Sequence, residues 1–188
     1  MSDPEAAKRT LLAELREHSL IFGEVTLSSG ATAQYYVDAR RALLRPPGFL
    51  AAGELIARAA VEAGATAVGG PVMAAIPLAC AAIAVPDGEG LVGFFVRKER
   101  KEHGLQRWVE GPVEAGARCL VVEDTVTTGG STAAAIELVR EQGLEVAAVL
   151  AVVDRLAGGG ERIEAAAEAP YRALVTIDEL YPERPDRG

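Results

Sequence analysis

The sequence predicts an α/β fold, with a mainly parallel central sheet flanked by helices. Three observations predict it. Apolar runs of strand length alternate with longer stretches of helical spacing across most of the chain. Glycine and proline mark the junctions, at Pro46-Pro47, Gly64, Gly69-Gly70-Pro71, Gly111-Pro112, Gly143 and Gly158-Gly159-Gly160. The apolar fraction, 49%, leans on alanine and valine while aromatics are only 5%, and small side chains let helices lie close on a sheet. At 188 residues the chain is long enough for one well-buried domain, with room for a small appended subdomain.

In order, Asp3-Pro4 reads as a cap and first turn, and Ala7, Leu11, Leu12 and Leu15 give an amphipathic helix to about residue 17. Alternation over 21–27 suggests a short strand, Ser28-Ser29-Gly30 a turn, and Gln34-Tyr35-Tyr36-Val37-Asp38-Ala39-Arg40 a second strand with an unusual polar end. That segment reads equally as an edge hairpin with solvated charges or as part of a binding site. Pro46-Pro47 precedes a helix over 48–63, and residues 65–68 form a short buried strand. Gly69-Gly70-Pro71 is then a tight loop before an alanine-rich helix over 75–85, with Pro77 in its first turns. A third strand covers 91–96. After the turn at 111–116, a central strand over 119–122 leads to a helix over 131–142 stopped by Gly143. A strand over 145–153 ends in Asp154-Arg155, a polar pair expected in the ligand crevice of an open sheet. The Gly158 to Gly160 run is a flexible turn, 161–168 a short helix or loop, 173–177 a last strand, and 182–188 a frayed polar tail.

A formal net charge of −8 argues against nucleic acid or an anionic membrane as a partner. The first 17 residues mix acids and bases and lack the apolar centre of a signal peptide. The longest apolar run, residues 74–85, falls well short of the ~20 residues that span a bilayer. Cys80 and Cys119 have neither metal-ligand nor CxxC spacing and read as reduced core residues of a cytoplasmic protein.

The chain is organised around Val121-Val122-Glu123-Asp124-Thr125-Val126-Thr127-Thr128-Gly129-Gly130-Ser131-Thr132, from the central strand to the start of its helix. Two successive glycines let several backbone N–H groups converge on one anion at the positive end of the helix dipole, and the hydroxyls add donors. Glu123 and Asp124 are acceptor-only groups suited to the vicinal hydroxyls of a ribose. Acid pair followed by phosphate loop indicates a ribose 5-phosphate. No lysine follows the glycines, so Walker A is absent, and the GxGxxG fingerprint is missing from this turn. The plainer alternative is an ordinary connection capped by Ser131.

Bases concentrate in one place. Arg97, Lys98, Arg100, Lys101, His103 and Arg107 fall within eleven positions of a strongly acidic chain. Such a run is either a solvated face or a mobile loop that meets a polyanion. Glu99 and Glu102 offset only part of it, and no apolar periodicity gives it a core to lie on.

In combination these segments become specific. The stretch over 26–40, the basic loop Arg97 to Gly104, the 121–132 motif and Asp154-Arg155 together resemble orotate phosphoribosyltransferase, a type I phosphoribosyltransferase, over about residues 20–156 in matching order. The resemblance implies that orotate reacts with 5-phosphoribosyl 1-pyrophosphate (PRPP) to give orotidine 5′-phosphate and pyrophosphate, with Mg²⁺ carried by PRPP. It implies one domain over 1–188, with about 46–154 as core and about 1–45 and 155–188 forming a hood. Glu123 and Asp124 would hold the ribose hydroxyls and touch the metal at most indirectly. Thr125, Val126, Thr127, Thr128, Gly129, Gly130 and Ser131 would follow PRPP to its 5-phosphate. Arg155 would pair with the orotate carboxylate, with Thr127 and the backbone at Tyr35 and Tyr36 bordering the pyrimidine. In a homodimer sharing the 97–107 loop, Arg97, Lys101 and His103 would act on the neighbouring subunit's site, and Lys98 on its own; these four would be the catalytic and pyrophosphate-facing groups.

Two positions depart from the pattern. Many members of that family carry lysine where this chain has Ala74, and where it has Ser28. Pyrophosphate binding would then rest more on backbone N–H groups and the shared loop. Two other functions use the same motif: a purine phosphoribosyltransferase, which would have no use for Arg155, and a PRPP-sensing regulator, which would carry a nucleic-acid domain or basic face.

Overall fold

The structure is a computed structural model that describes residues 3–26, 32–98 and 108–187. Helix α1 (Pro4–His18) opens where Asp3 accepts the Glu5 N–H at 3.0 Å, and it buries Ala7, Leu11 and Leu15. Strands β1 (Leu20–Thr26) and β2 (Thr32–Val37) pair antiparallel as a separate two-stranded sheet, with an irregularity between Phe22 and Val25. A single turn, α2 (Arg40–Leu43), leads to α3 (Pro46–Glu62). Pro46 and Pro47 therefore begin this helix rather than precede it, because proline fits the first turn, where no N–H is needed.

The main sheet holds β3 (Ala67–Pro71), β4 (Val92–Val96), β5 (Val109–Glu110), β6 (Arg118–Val126), β7 (Glu145–Asp154) and β8 (Tyr171–Thr176) in the order β5-β4-β3-β6-β7-β8. All neighbours are parallel except β4 and β5. Helix α4 (Ala75–Ala84) follows β3, α5 (Gly130–Glu141) follows β6, α6 (Gly159–Ala167) follows β7, and the turn α7 (Ile177–Leu180) follows β8. Along β6, Leu120 and Val122 join the apolar cluster that holds α1, α3 and α4, while Cys119 and Val121 face the cluster of α5 and α6. One strand thus feeds both cores by its period of two.

Several expectations are corrected. Gly69, Gly70 and Pro71 are strand, not loop: Gly69 pairs with Phe94 and Gly70 with Phe95. Their glycines serve close packing, since a Cβ on Gly69 would lie 2.1 Å from the Phe94 carbonyl oxygen and one on Gly70 would lie 2.2 Å from that of Val122. Val109 and Glu110, just after the basic run, form β5 and pair with Val96 and Phe95. Gly159 and Gly160 start α6 rather than extend a turn. Cys80 is exposed, whereas Cys119 is buried and its thiol is pushed up to about 12 by desolvation.

The tail is not frayed. Arg184 pairs with Asp178 and, at 3.3 Å, with Asp186, and Arg187 donates to the Pro182 carbonyl at 2.8 Å. Glu179 joins this end to the start of the chain. Its carboxylate meets Lys8 at 2.9 Å, and its carbonyl accepts from Arg16 at 2.6 Å. It also completes a capping box with Thr176.

Gly69→Ala separates conformational from packing effects. Alanine in a strand interior is worth about 0.5–1 kcal/mol over glycine, while overpacking a tight site costs about 1–3 kcal/mol. The Phe94 carbonyl is backbone and cannot swing aside, so urea denaturation should show a net loss of roughly 1–2 kcal/mol. A gain in stability would mean that the β3–β4 spacing is looser than described.

Candidate active site

Counting only parallel strands, the sheet order is that of an open doubly wound fold, reversing between β3 and β6. At such a point two connections leave on opposite faces and a crevice opens beyond the strand ends. A cleft of about 900 Å³ lies there. One wall is the apolar β3–α4 connection from Pro71 to Pro77, and the Val72–Met73 peptide within it is cis. Opposite are Glu123, Asp124, Thr125, Thr127 and Ser131, with Arg97 and Lys98 at the end of β4 and Arg155 at the end of β7.

The acid pair belongs to the strand itself. β6 continues through Val126, so Glu123 and Asp124 are fixed by sheet hydrogen bonds rather than placed on a loop. Glu123 is only 7% exposed, yet it lines the cleft and accepts a hydrogen bond from the Thr132 hydroxyl at 2.9 Å. Asp124 accepts from the Thr125 N–H at 2.7 Å. Desolvation first, and then the Asp124 charge, hold the Glu123 carboxyl above the usual carboxylate range. Burial likewise raises Asp124, against the pull of the Thr125 N–H and the Arg40 guanidinium. Arg40 donates to Asp38 at 2.7 Å, and both line the cleft.

The loop after β6 has the geometry its composition implies. Gly129 takes a left-handed φ of 70° as the residue before α5, and a Cβ there would lie 2.5 Å from the Gly159 carbonyl oxygen. The first turn of α5 thus starts without a side-chain cap, its N–H groups left for a ligand. Ser131 is exposed and is not the cap, so the capping expected of a plain connection is absent.

At the end of β7 the polar pair divides. Asp154 does not enter the crevice. It is 6% exposed and accepts from the Leu156 N–H at 2.7 Å and the Tyr171 hydroxyl at 2.8 Å. Burial raises the Tyr171 hydroxyl, which keeps it a donor. Arg155 enters the cleft instead, its N–H bonded to the Val126 carbonyl at 2.9 Å.

Of the residues singled out in the sequence, Tyr36, Arg97, Lys98, Glu123, Asp124, Thr125, Thr127, Ser131 and Arg155 line this cleft. Thr128, Gly129 and Gly130 continue the loop beside it, and Val126 is fully buried beneath. Tyr35 lies behind the wall, 3% exposed. Arg97 lines the cleft and meets Glu110 at 3.6 Å. Lys101, His103 and Ser28 lie outside the described residues. Asp38 and Arg40, the polar end of the second strand, also belong to the cleft wall, and an acid and an arginine two positions apart at a strand end are the sequence signal for it. Ala74 lines the cleft without charge.

Among the described residues no three His, Cys, Asp or Glu side chains gather as a metal cage. Glu123 and Asp124 at this cleft nevertheless suit Mg²⁺, which draws most of its oxygens from phosphates and water and can meet carboxylates through that water.

Sheet order, desolvated acid pair and glycine-started helix define a phosphoribosyltransferase, and residues 43–169 match the phosphoribosyl transferase domain family. Orotate phosphoribosyltransferase of Streptomyces avermitilis is 47% identical over 172 residues, covering 90% of this chain and 94% of its own. That of Corynebacterium glutamicum is 47% identical over 176 residues, covering 93% and 95%. The Mycobacterium tuberculosis orotate phosphoribosyltransferase solved in complex with PRPP superposes with a TM-score of 0.79 at 37% identity, over 93% of this chain and 98% of that one. The chain belongs to the orotate phosphoribosyltransferase family. Adenine phosphoribosyltransferase of Leishmania donovani, at 15% identity and a TM-score of 0.66 over 92% of this chain and 82% of that one, shares the fold alone.

Raised carboxyl pKa values fix the sign of a stability effect. Between the ordinary carboxylate range and the raised values, the folded chain keeps protons that the unfolded chain has lost. The stability they contribute is complete below the unfolded values and is lost as pH rises through the folded ones. Asp124→Asn should therefore raise the thermal midpoint by a few degrees at pH 8 and by much less at pH 4. Glu164→Gln, the same charge change on an exposed face of α6, should do neither.

Proposed function

We propose that this chain transfers the 5-phosphoribosyl group from PRPP to orotate, giving orotidine 5′-phosphate and pyrophosphate in pyrimidine nucleotide synthesis. The observation that carries this reading is the meeting, in one cleft, of a carboxylate pair, a helix-opening hydroxyl loop and an arginine from the next strand. Glu123 and Asp124 accept the ribose hydroxyls. Thr127, Thr128, Gly129, Gly130 and Ser131 donate to the 5-phosphate, with the Thr125 and Val126 backbone leading the chain to it. Arg155 faces the orotate carboxylate across Thr127 and Tyr36, a planar bidentate match that lysine does not reproduce.

Leaving of pyrophosphate puts positive charge on the ribose and negative charge on the departing group, as in glycoside chemistry. Buried carboxylates beside the ribose favour the first, and Arg97 and Lys98 the second. Mg²⁺ would neutralise pyrophosphate charge, held through PRPP and only indirectly by Glu123 and Asp124. Lys101 and His103, on a loop shared across a homodimer, would complete the cationic shell and keep water from hydrolysing PRPP. No protein nucleophile is required. The chain acts as one domain over 1–188, with residues 1–45 and 155–188 as a hood over the 46–154 core, which the α1–α7 contacts support. A cytoplasmic location suits its soluble substrates, and no described helix is long and apolar enough to cross a membrane.

Mixing the protein with PRPP, Mg²⁺ and orotate should consume orotate absorbance, with no product from adenine, hypoxanthine or uracil run in parallel. Arg155→Lys should raise KM for orotate on the order of tenfold or more, since a charge-assisted pair is worth about 1.5–3 kcal/mol, and leave KM for PRPP near its starting value. Turnover of a purine base, or PRPP binding with no base consumed, would overturn this reading.

A further inference from the structure

We infer that the C-terminal strap positions the pyrimidine site, with Asp186 holding Tyr35 and Tyr35 holding Arg155; this rests on Arg155 being the orotate-facing group. The Tyr35 hydroxyl donates to Asp186, 3.0 Å from each carboxylate oxygen. Arg155 Nη2 donates to that same hydroxyl oxygen at 3.4 Å, and its guanidinium carbon lies 5.4 Å from the Tyr35 ring centroid. A phenol has one proton. Committed to a carboxylate, it turns its lone pairs toward the guanidinium, so Asp186 sets the direction in which Tyr35 accepts. The ring is itself immobilised, packed edge-on against Tyr181 at 5.3 Å and 85°.

The strap is built to hold this carboxylate. Arg184, whose side chain is 11% exposed, pairs with Asp186 on one side and with Asp178 of α7 on the other. Arg187 reaches Asp178 at 3.9 Å and closes the turn through the Pro182 carbonyl. A chain of contacts therefore runs from α7 through the last residues to a cleft arginine, without any strap residue lining the cleft. Asp186 is a positioning residue. It touches no reacting atom, and its side chain is 55% exposed, so its effect should be moderate.

Steady-state kinetics of Asp186→Ala, Asp186→Glu, Tyr35→Phe, the Asp186→Ala/Tyr35→Phe pair and Arg155→Lys test this. Asp186→Ala and Tyr35→Phe should each raise KM for orotate about five-fold, with KM for PRPP within about two-fold of the parent. The double variant should be no worse than the poorer single one, and Asp186→Glu should recover most of the loss. A general structural role would move both KM values together, and that outcome, or unchanged orotate KM in Asp186→Ala while Arg155→Lys is impaired, overturns the inference. An unimpaired Arg155→Lys would instead overturn the assignment of Arg155, and the strap's role with it.

Discussion

Placing two adjacent carboxylates, one buried and one half-buried, at the end of the central strand is the constraint around which this molecule is arranged. Glu123 and Asp124 leave water because β6 carries them, paired along β7, past the end of its contact with β3 and into the wall of the cleft. Such groups are costly unless something donates to them. Thr132 reaches back from α5 to Glu123, the Thr125 N–H turns onto Asp124, and Arg40 contributes its charge from the short helix after the hairpin. The remaining acceptor capacity faces the cleft. In the reading proposed above, function and instability share one origin, because the ribose hydroxyls would relieve the cost of these charges at neutral pH.

Other features follow from that placement. The strand must end against a helix start, so Gly129 takes the left-handed turn and abuts Gly159 at the start of α6, which locks the phosphate loop to the neighbouring strand's connection. The β3 side contributes little charge. From Pro71 to Pro77 its wall is apolar, with Ala74 where a lysine is common in the family, and cations come instead from Arg97 and Lys98 at the end of β4 and Arg155 beyond β7. Fold alone does not select the base, as the shared architecture of an adenine enzyme shows. In the reading proposed above, the arginine at the end of β7, which lines the cleft, makes that choice.

Much of this was legible because its signals are local. The apolar runs of β6 and β7, and the hydroxyl-glycine loop with its acids, are each contained in about ten consecutive positions. What escaped depends on contacts between distant residues. Gly69 and Gly70 read as a turn by composition, whereas the closeness of Phe94 and Val122 makes them strand. Val109-Glu110 is too short to show a period and exists only because β4 offers an edge. Asp154 and Arg155 looked like one polar pair, but alternation along a strand sends neighbours opposite ways, and Tyr171 takes the first. The tail seemed free because arginines and aspartates usually mark solvent; here they pair with α7 and Tyr35.

The central claim is that Glu123 works ionised, as an acceptor for the ribose, despite a carboxyl raised by burial. Calorimetric titration of PRPP near neutral pH, in two buffers of different ionisation enthalpy, counts the protons exchanged on binding. Repeating it with Glu123→Gln subtracts the phosphates' own protons. The account predicts that the parent releases more protons than the variant, because binding forces the carboxyl to ionise. Equal exchange in both, or net uptake by the parent, would mean that Glu123 does not meet the ligand as a carboxylate.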